Sequence, residues 1–192
     1  MALFNKGTNI LSTDWTEGKI HILDLNCKYI RSVNISDFLK MPMVMCVQVK
    51  ENGDENIFLT DNIADKVFLF NSSFQLIRTI GNNLNVQYIS IDSNNLYASQ
   101  CSDNIVSIFN YNDGQLKSRL QVERPFNSAS DLNYVYIVSG FVGERDEDKR
   151  KLNKIKKGNY INWISILLRK FNLKIGSVHF QFIYQIMRIF IQ

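Results

Sequence analysis

Cysteine and histidine are scarce in this chain of 192 residues. The three cysteines, Cys27, Cys46 and Cys101, are odd in number, scattered and without a C-x-x-C pair. That argues against a disulfide framework or a zinc site and leaves buried thiols acting as small hydrophobes. The two histidines, His21 and His179, have no H-x-x-x-H spacing that would let them share a metal. None of the nine glycines belongs to G-x-x-x-x-G-K-[ST] or G-x-G-x-x-G, so a nucleotide loop is missing, as is a nucleophile elbow. The opening MALFNKGTNILSTD has no apolar run long enough for a signal peptide, which favours a cytoplasmic setting. Near the C-terminus, Arg169, Lys170, His179 and Arg188 interrupt the apolar runs and argue against a spanning helix.

No stretch is depleted enough in hydrophobics to demand disorder, and at this length one domain with a real core is the default. The net charge of +4 divides unevenly: residues 1–143 carry 11 Lys and Arg against 14 Asp and Glu, residues 144–192 carry 11 against 4. A uniformly basic nucleic-acid binder would not divide this way, so attraction to phosphate or anionic lipid belongs to the C-terminal part.

The chain repeats itself. NILSTDWTEGKIHILDLNCKYIRSV (9–33) and NIFLTDNIADKVFLFNSSFQLIRTI (56–80) lie 47 residues apart and agree at Asn9/Asn56, Ile10/Ile57, Thr13/Thr60, Asp14/Asp61, Lys19/Lys66, Ile30/Ile77 and Arg31/Arg78. A third copy starts 39 residues later at Asn95, keeping apolar places at Leu96, Val106, Ile108 and Phe109, and a fourth opens 39 residues after that with YVYIVSG. Such periods mean stacked supersecondary units. Within each copy, short runs of β-branched and aromatic residues alternate with Asn, Asp, Ser and Gly clusters, which predicts four short antiparallel strands per repeat joined by tight polar turns.

The second copy resembles an NHL repeat: Ile57, Thr60, Asp61, Lys66, Val67, Phe70, Ile77, Arg78, Ile80 and Gly81 stand at that family's characteristic places, and Pro42 leads the inner strand. Pro125 does the same in the fourth copy, whereas Gln100 and Ile105 replace the Asp and the basic residue in the third. The resemblance implies an all-β, NHL-type β-propeller of four-stranded blades. It is incomplete here: a closed ring, commonly of six blades, would need about 250 residues at this repeat length. The blades fall at 1–34, 42–81 and 84–120, with a partial fourth at 125–140.

In this reading the Asp of Thr-Asp fixes the turn into the third strand by accepting backbone N–H bonds, and an ion pair between Asp61 and Lys66 would add little. Val67, Leu69 and Ile77 turn an apolar face to each adjacent blade.

Residues 141–192 form a basic, non-repeat tail, mixed or helical. Its charge run GERDEDKRKLNKIKKG (143–158) reads as a solvated helix face or a flexible linker. Beyond it Ile161, Ile164, Leu168 and Phe171 share a helical face, and Val178, Phe180 and Phe182 alternate. Three readings of the tail stand: a cover for the open end of the stack, a segment lying on an anionic membrane surface, and translated noncoding sequence.

For function, the sequence points to a noncatalytic protein-interaction platform working through the loops at one end of the blades, with no catalytic, cofactor-binding or metal residues assigned and no cofactor. Two alternatives stand beside it. In a metal-dependent, lactonase-like propeller, Asp92 and Asp131 near the inner-strand ends would supply oxygen ligands, although Asp begins turns everywhere. In an RNA-binding NHL module, Tyr88, Tyr97 and Tyr111 would stack bases, yet the acidic repeat region makes nucleic acid an unfavoured partner. Exposed edges also allow self-association.

Overall fold

The computed structural model describes residues 1–61, 63–131, 133–140, 151–157 and 165–166. Its strands form four antiparallel sheets of four, each in simple chain order. Sheet one holds β1 (Ala2–Phe4), β2 (Asn9–Asp14), β3 (Lys19–Asp24) and β4 (Tyr29–Asn34). Sheet two holds β5 (Pro42–Val49), β6 (Glu55–Asp61), β7 (Lys66–Asn71) and β8 (Leu76–Ile80). Sheet three holds β9 (Tyr88–Ile91), β10 (Asn95–Gln100), β11 (Ile105–Asn110) and β12 (Leu116–Gln121), and sheet four holds β13 (Pro125–Ser130), β14 (Tyr134–Ser139), β15 (Lys151–Lys156) and β16 (Ser165–Ile166). No helix occurs among the described residues.

The sheets stand side by side. First strands neighbour one another in order, β1 beside β5, β5 beside β9 and β9 beside β13, with Ser90 and Ser128 Oγ atoms 2.6 Å apart between β9 and β13. Strand alternation sends successive side chains to opposite neighbours. Ile57 and Leu59 of β6 pack with Leu11, Ile20 and Ile22 of sheet one, while Phe58 between them packs with Leu96 and Ala98 of sheet three. Tyr97 then turns to Val135, Ile137 and Ile155 of sheet four. A sheet with both faces apolar cannot stand alone in water, so each depends on its neighbours for stability.

The turns repeat as closely as the strands. Asp24, Asn71 and Asn110 end the third strands, and each side chain accepts a backbone N–H two residues on, from Asn26, Ser73 and Asn112. The register between third and fourth strands slips one residue earlier, between Ile22 and Leu23, Leu69 and Phe70, and Ile108 and Phe109. At the other end, the residue before the third strand is left-handed: Gly18, Asp65 and Asn104 have φ of 62°, 51° and 59°. Gly, Asp and Asn are the types that tolerate that conformation. Each of their carbonyls accepts an N–H from the chain just past the outer strand, at Ile35, Leu84 and Val122.

Four expectations need correction. The fourth sheet does not stop at Gly140: β15 pairs with β14 from Lys151↔Ser139 to Lys156↔Tyr134, and β16 pairs with β15. The second half of the charge run is therefore a strand rather than a helix face or linker. Asn153 and Ile155 turn inward, and Lys154 sets its ammonium 4.0 Å from the centre of the Tyr134 ring, so Lys154 and Lys156 belong to the outward side of a sheet. Second, Cys27 is an exposed turn residue with φ of 62°, whereas Cys46 and Cys101 are half-buried. Third, Ile77 is 44% exposed, while Val67 and Leu69 pack inward. Fourth, Lys66 lies 5.9 Å over the Phe68 ring instead of on Asp61. The segment readings on Ile161, Ile164, Leu168, Phe171, Val178, Phe180 and Phe182, like His179, lie outside the described residues.

Candidate functional site

The antiparallel order gives the stack two unlike ends. At the entry end the first strands begin, and the turns between second and third strands lie beside them. Thr60-Asp61 shows what builds it. Asp61 is 2% exposed, and its two oxygens accept four backbone N–H bonds: Ile63 and Ala64 of its own turn at 2.7 and 2.9 Å, and Lys40 and Met41 of the incoming loop at 2.6 and 2.9 Å. Burial alone would raise this carboxyl, yet the four backbone donors together hold it below the ordinary carboxylate value. One side chain thus fastens a turn to the start of the inner strand. Asp14 does half of this in sheet one: Oδ1 accepts from the Thr16 hydroxyl and from Thr16 and Glu17 N–H, and Oδ2 lies 3.3 Å from His21 Nε2. In sheet three, where Gln100 stands in place of Asp, the tie is made from the opposite side. Gln87, just before β9, accepts the Cys101 N–H at 2.7 Å, while Gln100 accepts the Ser107 hydroxyl.

These fastened turns and the start of β5 hold large apolar side chains in solvent. Trp15 is 55% exposed, Met43 43% and Ile63 64%. They are linked through the backbone, since Thr13 Oγ1 donates to the Met43 carbonyl at 3.1 Å and the Asp61 carboxylate spans Met41 and Ile63. Sequence reasoning placed the two Asp residues here but not this apolar group, because an exposed apolar turn residue carries no periodicity to mark it.

The exit end carries Asp92 and Asp131, the carboxylates of the metal-holding alternative. Both begin the turn after a first strand: Asp92 Oδ1 accepts from Asn94 and Asn95 N–H, Asp131 Oδ1 from Asn133 and Tyr134 N–H. Each also takes a tyrosine hydroxyl from five residues on, Tyr97 at 2.6 Å and Tyr136 at 2.9 Å, a shared D-x-N-x-x-Y motif. Between them sits an ammonium. Lys157 Nζ donates to Asp92 Oδ2 and to the Asp131 main-chain carbonyl, both at 2.6 Å, and Ser130 Oγ donates to Asp92 at 3.2 Å. Burial would raise the Asp92 carboxyl, but Lys157 and the Tyr97 hydroxyl, with the two backbone donors, hold it well below the usual range. A divalent ion at Asp92 would have to displace Lys157. Among the described residues no three His, Cys, Asp or Glu side chains stand close enough to share a metal.

Of the three tyrosines considered for base stacking, Tyr97 is fully buried and Tyr111 is 8% exposed, both inside sheet-to-sheet joints, and Tyr88 packs edge-on against Phe126. Neither buried ring offers a face to a base. A shallow rim groove between sheets two and three, lined by Thr79, Leu84, Phe109, Leu116 and Arg119, brings together no acid–base set. Among the described residues no helix is long and apolar enough to cross a membrane.

No protein-family model and no curated protein matches the chain. Solved structures do. Hydrazine synthase of Kuenenia stuttgartiensis superposes with a TM-score of 0.66 at 14% identity, over 86% of this chain and 48% of that one. Virginiamycin B lyase of Staphylococcus aureus gives 0.60 at 12% identity, over 88% and 54%. The computationally designed Ika8 protein gives 0.52 at 15% identity, over 71% and 41%. The chain therefore spans about half the length of the solved chains it matches. Four antiparallel four-stranded sheets, packed face to face around neighbouring first strands and superposing on these structures, give this chain the β-propeller fold.

Proposed function

We propose that this chain is a noncatalytic protein-interaction platform of the NHL-repeat type, engaging its partner through Trp15, Met43 and Ile63 at the entry end. The observation that carries the reading is their exposure at one end of the stack, on two turns and a strand start tied down by side-chain-to-backbone hydrogen bonds. Keeping large apolar groups in water costs free energy that a partner recovers by covering them. Loops already ordered lose little further entropy on binding, so more of that gain appears as affinity. The NHL assignment rests on the Thr-Asp and Ile-Arg-x-Ile-Gly residues of sheet two and the turn role of Asp61.

A photo-reactive residue at position 15 should cross-link one discrete polypeptide in cells, and Ile63→Asp should abolish that product. The same residue at the rim position 116 should give none. Equal labelling from both positions, or a product indifferent to Ile63→Asp, would sink the proposal. Titration calorimetry with calcium and manganese tests the lactonase alternative: cation binding that disappears in Asp92→Ala favours it over the platform. A steep fall of RNA affinity with salt would favour the nucleic-acid reading.

A further inference from the structure

The blade-to-blade joint is built the same way three times, and its two halves recur on the first and last sheets with no further sheet against them among the described residues. The forward half centres on the third residue of the repeated second-strand segment: Leu11, Phe58 and Tyr97 are each fully buried against the next sheet. Tyr136 holds the same place in β14, opposite Lys154 as Tyr97 is opposite Ile108, yet it is only half-buried, as are Tyr134 and Val138 beside it. The receiving half centres on Ile57, Leu96 and Val135, again fully buried. Its counterpart in sheet one is Ile10, paired with Leu3 and Leu23; Leu3 is 61% exposed, and Ile10 and Leu23 are half-buried.

Charge follows the same logic. At the joint of sheets three and four, the Asp92–Tyr97 pair is completed by Lys157, which follows the third strand of the next sheet. Asp131–Tyr136 repeats that pair at the end of sheet four; among the described residues Asp131 Oδ2 accepts the Tyr136 hydroxyl, and the Lys154 charge of the same sheet acts on it without a hydrogen bond. Through the register Lys156↔Tyr134 and Asp24↔Asn9, Lys157 corresponds to Leu25 of sheet one, and the turn that Leu25 opens carries the exposed Lys28 three residues on.

We propose that two copies of this chain join head to tail, the outer face of sheet four on one against the outer face of sheet one on the other, closing an eight-sheet ring in which Asp131 receives the Lys28 ammonium of its neighbour. The contact is heterologous, forward half to receiving half, and closes only if the rotation per copy is half a turn.

Light scattering on the full chain should give twice the chain mass at micromolar concentration. Tyr136→Asp should return it to a monomer, with circular dichroism confirming that the sheets persist. Asp131→Lys and Lys28→Asp, each alone, should raise the dimer dissociation constant about tenfold, and the double charge exchange should restore it. A wild-type chain that stays monomeric at about 100 μM overturns the proposal and leaves the face to another polypeptide. Open-ended oligomers, or single and double charge variants that dimerise alike, overturn it equally.

Discussion

Removing the Asp61 carboxylate should loosen the entry end more than any other single polar change. Four backbone N–H groups converge on it, two from its own turn and two from the incoming loop, and the residue is 2% exposed. A hydrogen bond to a charged group contributes about 1.5–3 kcal/mol net, and a buried donor left unpaired costs about 1–3 kcal/mol. Four such bonds do not add in full, because a loosened loop admits water. Asp61→Ala should therefore cost about 3–5 kcal/mol, and Asp61→Asn, which keeps one acceptor oxygen and turns an NH2 toward two donors, about 2–3 kcal/mol. Urea unfolding at pH 7 measures both. Acid supplies an independent check. The folded carboxyl sits below the 3.8 of the free group, so the folded state binds fewer protons than the unfolded one. Its contribution is present above that value and is lost as pH falls through it toward the folded value. Wild type should lose stability across that window more steeply than Asp61→Asn, by the share of one carboxylate; Asp14, Asp92 and Asp131, also depressed, keep titrating in both. A loss under about 1 kcal/mol at pH 7, or identical acid slopes, would refute the fastening role.

Lys157→Met should cost about 1–3 kcal/mol, since it strands a mostly buried Asp92 that keeps its tyrosine and backbone donors; chemical denaturation with Asp92→Asn as the second arm of a double-mutant cycle measures the coupling. Tyr97→Ala should cost about 3–5 kcal/mol by opening a cavity between sheets three and four, and a loss near zero in the same assay would deny that the joint is packed there. Gly81→Ala should destabilise by about 1–3 kcal/mol: φ is 72° and the added Cβ would fall 1.9 Å from Leu84 Cδ1, so a melting temperature equal to wild type would contradict the geometry. Ellman's reagent should titrate Cys27 faster than Cys46 in the native protein, because Cys27 is exposed whereas Cys46 is half-buried with its thiol pushed far above its ordinary value by burial.

Strand positions and turn roles were legible where a residue type has one local use. Asp61 and Asp14 end a second strand in front of unpaired N–H groups, and the structure gives both that task. Val67 and Leu69 alternate with apolar neighbours, and both faces of β7 are covered. Lys151–Lys156 was missed because three of its six residues are lysines, so charge outweighed an alternation carried by Asn153 and Ile155 alone. Ile77 misled in the opposite sense: an apolar residue in an outer strand can face solvent without leaving a trace in the pattern. The ammonium at Asp92 could not be foreseen, since Lys157 lies 65 residues away along the chain.

Local chemistry was enough to set the repeat, the four-stranded unit and the turn residues, because backbone conformation and side-chain alternation depend on neighbours a few residues apart. Which face meets which sheet, that Lys157 reaches Asp92, and that Trp15, Met43 and Ile63 lie at one end were decided only by packing. Contacts between distant segments depend on how whole sheets fit together, a quantity no short window of sequence contains.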